Sequence, residues 1–141
     1  FAISTQDVAA EKELTLKFLE GIKQGDFLGY ISVRVIEEIL RAPQPKQDDL
    51  LNVVGQFTLE SLPLTDEVKA LADRYIKEKI IPEKELNDAI HIAVASINNL
   101  DVIVSWNFEH MVKFKTKREV KGINTLMGYK TIEICTPQEV L

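Results

Sequence analysis

The chain has 141 residues, 45% hydrophobic and 28% charged, which suits one globular domain with a single sizeable core and excludes a disordered chain. Its net charge of −5 counts against broad, nonspecific binding to nucleic acid. The single cysteine, Cys135, excludes a disulfide framework and a cysteine-rich metal site, and no apolar run reaches the roughly 18 to 20 residues of a membrane span. No signal peptide is visible, so a cytoplasmic setting is the expectation. Phe1 is not a start methionine, and the natural N-terminus is expected upstream of it.

In chain order, Ser4 to Lys23 has helical spacing, with Ser4 or Thr5 as N-cap and Gly25 as a stop. Leu14, Leu16, Phe18, Leu19 and Ile22 are expected to form its buried stripe. Phe27 to Ser32 is short, apolar and β-prone, and Ser32 is placed to cap a helix from Val33 to Leu40. The Ala42-Pro43-Gln44-Pro45 break ends that helix, and another follows from about Lys46 to Gly55. Phe57 to Leu62 reads as a second strand closed by Pro63.

Thr65-Asp66-Glu67 opens a helix that runs to about Glu78. Pro82, with Glu83 and Glu85 suited to a helix dipole, starts the next, which extends to Asn98 and Asn99. Asp101 to Ser105 reads as a buried strand and Lys115 to Leu126 as a helix ended by Gly128. Thr131 to Cys135 supplies the last strand. This alternation predicts an α/β fold, a three-layer sandwich with a mostly parallel central sheet flanked by helices, in one domain over residues 1–141.

The chemistry centres on Asn87-Asp88-Ala89-Ile90-His91-Ile92-Ala93-Val94-Ala95. This helix is apolar on nearly every side and yet carries Asp88 near its start. A buried carboxylate is costly unless a cation, a metal or several donors meet it. In parallel sheets, ligands bind beyond the carboxyl ends of the strands. There the Tyr30-Ile31-Ser32 strand feeds the helix with Glu37 and Glu38, and the Val102-Ile103-Val104 strand ends at Ser105-Trp106-Asn107. A carboxylate cluster at that edge suits Mg²⁺ or Mn²⁺ rather than zinc.

Each residue also has a plain reading. Glu37 suits a solvent-facing position, and Glu38 lies one turn from both Arg34 and Arg41, where an ordinary ion pair forms. Asp88 is placed to accept from early helix amides. His91, at i+3 from Asp88, has metal-ligand spacing but is more often a hydrogen-bonded core residue, and Trp106 reads as packing. Lys113, Lys115, Lys117, Arg118 and Lys121 form a basic run in an acidic chain, either a solvated helix face or a phosphate-contacting rim.

Three segments together resemble the PIN domain family, the nuclease fold of VapC-like toxin ribonucleases: Ser32-Val33-Arg34-Val35-Ile36-Glu37-Glu38-Ile39, Asn87-Asp88-Ala89-Ile90-His91-Ile92-Ala93, and Ile103-Val104-Ser105-Trp106-Asn107-Phe108-Glu109-His110. Gly122-Ile123-Asn124, Gly128-Tyr129 and Thr136-Pro137 fit one bacterial subgroup of that family, so the similarity covers most of the chain. The resemblance implies metal binding by Glu38 and Asp88, with Asn107 where many members have aspartate and Ser105 beside it. It also implies Mg²⁺ or Mn²⁺ as cofactor and RNA as substrate, with the basic run 113–121 holding its backbone. An antitoxin partner and a homodimer are further family expectations.

Two departures stand out. The family opens with a strand ending in Asp-Thr/Ser, whose aspartate is the first metal ligand, and no such strand precedes Asp7 here. Asn107 in place of aspartate also removes a charge. The alternative to the nuclease is therefore a catalytically degenerate PIN-fold module that binds RNA or a protein. A Rossmann-like nucleotide binder is disfavoured, since no Gly-rich loop follows any expected strand.

Overall fold

The computed structural model describes residues 8–56, 59–104 and 114–135, with Glu139. Helix α1 (Val8–Lys23) ends where Gly25 turns the chain at φ +89°, a conformation that costs glycine little. Its inner side seats Leu19, and Phe18 packs against Phe27 with ring centroids 5.6 Å apart. Leu16 departs from the expected stripe, since it is exposed. Caps Ser4 and Thr5 lie outside the described residues.

Strand β1 (Tyr30–Ser32) is half as long as the expected Phe27–Ser32 segment. Gly29 stands just before it, and a Cβ there would come within 2.4 Å of Leu59 Cδ2, so a larger residue would require the Leu59 side chain to shift. β1 pairs in parallel with β2 (Glu60–Leu62), Tyr30 opposite Glu60 and Ser32 opposite Leu62. The chain then enters α2 (Val33–Leu40) directly, because Ser32 Oγ accepts from the Val35 amide at 3.2 Å. Helix α3 (Lys46–Gln56) follows the proline break, with Asp48 and Asp49 in its first turn.

Thr65 caps α4 (Asp66–Lys77) in the same way, its Oγ1 accepting from the Val68 amide at 3.2 Å. After Pro82 a short 3₁₀ turn (Glu83–Glu85) precedes α5 (Leu86–Ile97), so the expected single helix starts in a tighter coil. Strand β3 (Val102–Val104) pairs in parallel with β4 (Glu133–Cys135), Val102 opposite Glu133. Between them runs α6 (Phe114–Met127), stopped by Gly128 at φ +80°.

The protein is thus mixed α/β, mostly helical, with every described strand pair parallel. Among the described residues the strands form two separate two-stranded sheets, not the one central sheet expected from the alternation. The core lies mainly between α4 and α5, where Val68, Leu71, Ala72, Ala89, Ile92 and Ala93 are almost wholly buried. Burying a side chain such as Ile92 favours folding by roughly 1.5–3 kcal/mol. Among the described residues no helix is long and apolar enough to cross a membrane.

A buried polar chain ties three helices together. The Tyr75 hydroxyl of α4 donates to Asn124 Oδ1 of α6, and Asn124 Nδ2 donates to Ser96 Oγ of α5 at 2.8 Å. Ser96 Oγ in turn donates to the Ile92 carbonyl at 2.8 Å. All three side chains are inaccessible to solvent, so each bond replaces water that the core excludes.

Candidate active site on the seam of two helices

Helix α2 supplies an alternating charged edge, Arg34, Glu37 and Glu38, because polar residues at these spacings fall on one side of a short helix. Helix α5 is buried over most of its surface, and only near its start do Asn87, Asp88 and His91 bring polar groups to that side. The two edges meet in two rungs. Arg34 Nε and Nη2 both donate to Asn87 Oδ1, at 2.9 and 2.8 Å. One turn further along each helix, Glu38 Oε1 stands 3.8 Å from His91 Nε2. Since Arg34 to Glu38 and Asn87 to His91 are both steps of one turn toward the C-terminus, α2 and α5 run in the same direction along this seam.

Asp88 adjoins the first rung in sequence and sits one turn before His91. It is 9% exposed and is engaged by neighbouring groups. Glu38 keeps 40% of its side chain exposed, and His91 keeps 20%. The ion pair expected between Glu38 and Arg34 or Arg41 is absent among the described contacts. Arg34 instead pairs with Glu37, Nη1 to Oε2 at 3.5 Å. Glu37 is accordingly not a purely solvent-facing residue.

Burial is the largest influence at His91 and, with the Arg34 charge acting in the same direction, pushes its pKa down to about 4. His91 is therefore neutral at pH 7, and its contact with Glu38 is not an ion pair.

Glu38 and Asp88 offer carboxylate oxygens of the kind that suit Mg²⁺ or Mn²⁺, and the neutral His91 adds a nitrogen compatible with Mn²⁺. Among the described residues no three His, Cys, Asp or Glu side chains converge on a single ion position. Ser105, Asn107 and Lys113 lie outside the described residues. Lys115, Lys117, Arg118 and Lys121 all fall on α6, where Lys115, Arg118 and Lys121 are exposed and Lys117 is half-buried. Lys115 is offset by Glu119 at 4.0 Å.

Asn87 escaped the sequence reading. Its position next to Asp88 was the available signal, but its partner lies 53 residues away on another helix. No family model matches the chain, and no curated protein or solved structure matches it.

Proposed function

We propose that this chain is a PIN-type, metal-dependent endoribonuclease whose catalytic edge is the α2–α5 seam. One observation carries the reading: the seam unites the first two of the three segments in which the family resemblance resides, through Arg34–Asn87 and Glu38–His91. Asp88, 9% exposed, and Glu38 are the carboxylates on these two helices, of the oxygen chemistry that suits a divalent cation. In this reading the strands belong to a three-layer PIN-like sandwich, and a strand ahead of α1 supplies a further aspartate.

Glu38 and Asp88 are the residues that would hold Mg²⁺ or Mn²⁺. When bound, such an ion acidifies a water molecule and offsets charge on a phosphodiester during in-line hydrolysis. The protein's own part is to present the two carboxylates from α2 and α5. Ser105 and Asn107, beyond the carboxyl end of β3, would orient the phosphate. The basic residues of α6, with Lys113 before it, would contact the RNA backbone and so fix register rather than sequence. A toxin role under a cytoplasmic antitoxin, and pairing of two copies, complete the proposal.

The test is cleavage of a fluorescent single-stranded RNA by the purified full-length protein with Mn²⁺, beside Glu38→Gln and Asp88→Asn. The reading expects cleavage that needs the metal and falls to background in both variants. Cleavage that survives both substitutions would overturn it. RNA binding without cleavage in the wild type would replace it with a PIN-fold binding module.

A further inference from the structure

We propose that Arg34 is a phosphate-binding residue: its guanidinium, oriented by Asn87, grips the RNA backbone beside Glu38 and Asp88. The proposal deepens the nuclease reading and rests on it for the substrate, but it is tested by binding without metal. It starts from the charges along the seam. Glu37, Glu38 and Asp88 are acidic, His91 is neutral, and Arg34 alone among these residues is basic. A phosphodiester approaching the carboxylates meets charge of its own sign, and a fixed cation next to them offsets that repulsion.

The way Arg34 is held suits that task. Its Nε and Nη2 donate to a single amide oxygen, Asn87 Oδ1, at 2.9 and 2.8 Å. An amide orients the guanidinium and, being uncharged, leaves its positive charge in place, whereas an aspartate there would cancel it. Asn87 takes one edge of the planar fork and two of its five N–H groups, so the Nη1–Nη2 edge keeps donors for a second bidentate partner. Glu37 Oε2 is 3.5 Å from Nη1, but that side chain is 40% exposed, and so exposed an ion pair is weak enough for a phosphate to displace. The site is open to solvent, since Asn87 is exposed and Arg34 keeps 26% of its side chain accessible. Arg34 and Glu38 lie one turn apart on α2, and Asp88 directly follows Asn87 on α5, which puts the cation next to both carboxylates.

The test is the salt dependence of RNA binding, read by the anisotropy of a fluorescein-labelled oligouridylate with the full-length protein in EDTA. Arg34→Ala should weaken binding by about tenfold and reduce the slope of log Kd against log salt by about 0.7, the loss of one phosphate contact on a single strand. Arg34→Lys, which keeps the charge, should keep the slope. Asn87→Asp retains an acceptor for both nitrogens but discharges the guanidinium, so it should weaken binding as Arg34→Ala does, and it decides the matter if Arg34→Ala fails to fold. Arg41→Ala makes the same charge change at the exposed C-cap of α2 and should bind as the wild type does. An unchanged slope in Arg34→Ala, an equal loss in Arg41→Ala, wild-type affinity in Asn87→Asp, or no RNA binding by the wild type would each overturn the proposal. The expected pattern in a protein that cleaves no RNA with Mn²⁺ would support the phosphate site and defeat the catalytic reading. Metal-dependent cleavage with an unchanged slope in Arg34→Ala would do the reverse.

Discussion

His91 Nε2 faces Glu38 Oε1 at 3.8 Å across two helices separated by more than forty residues of chain, and the imidazole is neutral there. A native pKa near 4, below the ordinary 6.5, means that the unfolded chain binds the proton more tightly than the folded one. The stability from a neutral His91 is therefore complete above pH 6.5 and is lost as pH falls from 6.5 through 4. The full effect is about 3 kcal/mol. The ring resonances of His91, followed by NMR, should titrate near pH 4 in the folded protein. A midpoint at or above 6.5 would show that Glu38 governs the ring instead.

The opposite sign is expected at Tyr75. Burial raises its phenol from 10.0 to about 12, although the bonds with Ser96 and Asn124 partly oppose this. Its contribution is complete below pH 10 and is lost as pH rises from 10 through 12, because the unfolded chain ionises first. The expected loss is about 2–3 kcal/mol. Urea midpoints should drop between pH 9 and pH 11.5, on the order of the window set by this shift, and the drop should shrink in Tyr75→Phe.

Asn124 joins Tyr75 to Ser96, so Asn124→Ala removes the acceptor of the buried Tyr75 hydroxyl and one donor to Ser96 Oγ, which keeps its bond to the Ile92 carbonyl. A cost of about 2–4 kcal/mol follows, read as a lower urea midpoint with an unchanged slope. Asn124→Asp should also be destabilising, since it replaces the donor to Ser96 with an acceptor and buries a charge.

Lys79 follows the α4 C-cap residue Glu78 at φ 58°, a left-handed conformation that favours glycine. Lys79→Gly should raise stability by about 0.5–1 kcal/mol, relief of strain exceeding the added freedom of the unfolded chain. A lowered melting temperature would show that the lysine side chain has a compensating role.

Helices were legible because their signals are local. Ser32 and Thr65 cap where a hydroxyl precedes a helical pattern, and Gly25 and Gly128 mark ends through positive φ. Strands were less so: β1 occupies only the last part of the expected segment, and the two sheets are set by pairing between distant residues. Leu16 shows the limit of periodicity, which gives the apolar face of a helix but not the width that its neighbours cover. At the site, Asp88 was legible as a carboxylate in an apolar helix. The partners of Arg34 and Glu38 were not, because helical spacing offers only neighbours on the same helix, whereas Asn87 and His91 arrive from α5. The Tyr75–Asn124–Ser96 chain escaped for the same reason.

Mn²⁺ is paramagnetic and broadens the NMR signals of nuclei close to it, so titrating it into isotope-labelled protein tests the central claim in space. The account predicts selective broadening of the His91 ring and of amides at 34–38 and 87–91, lost in Asp88→Ala while that variant stays folded. Broadening that leaves those signals sharp, or that persists unchanged in Asp88→Ala, would contradict it.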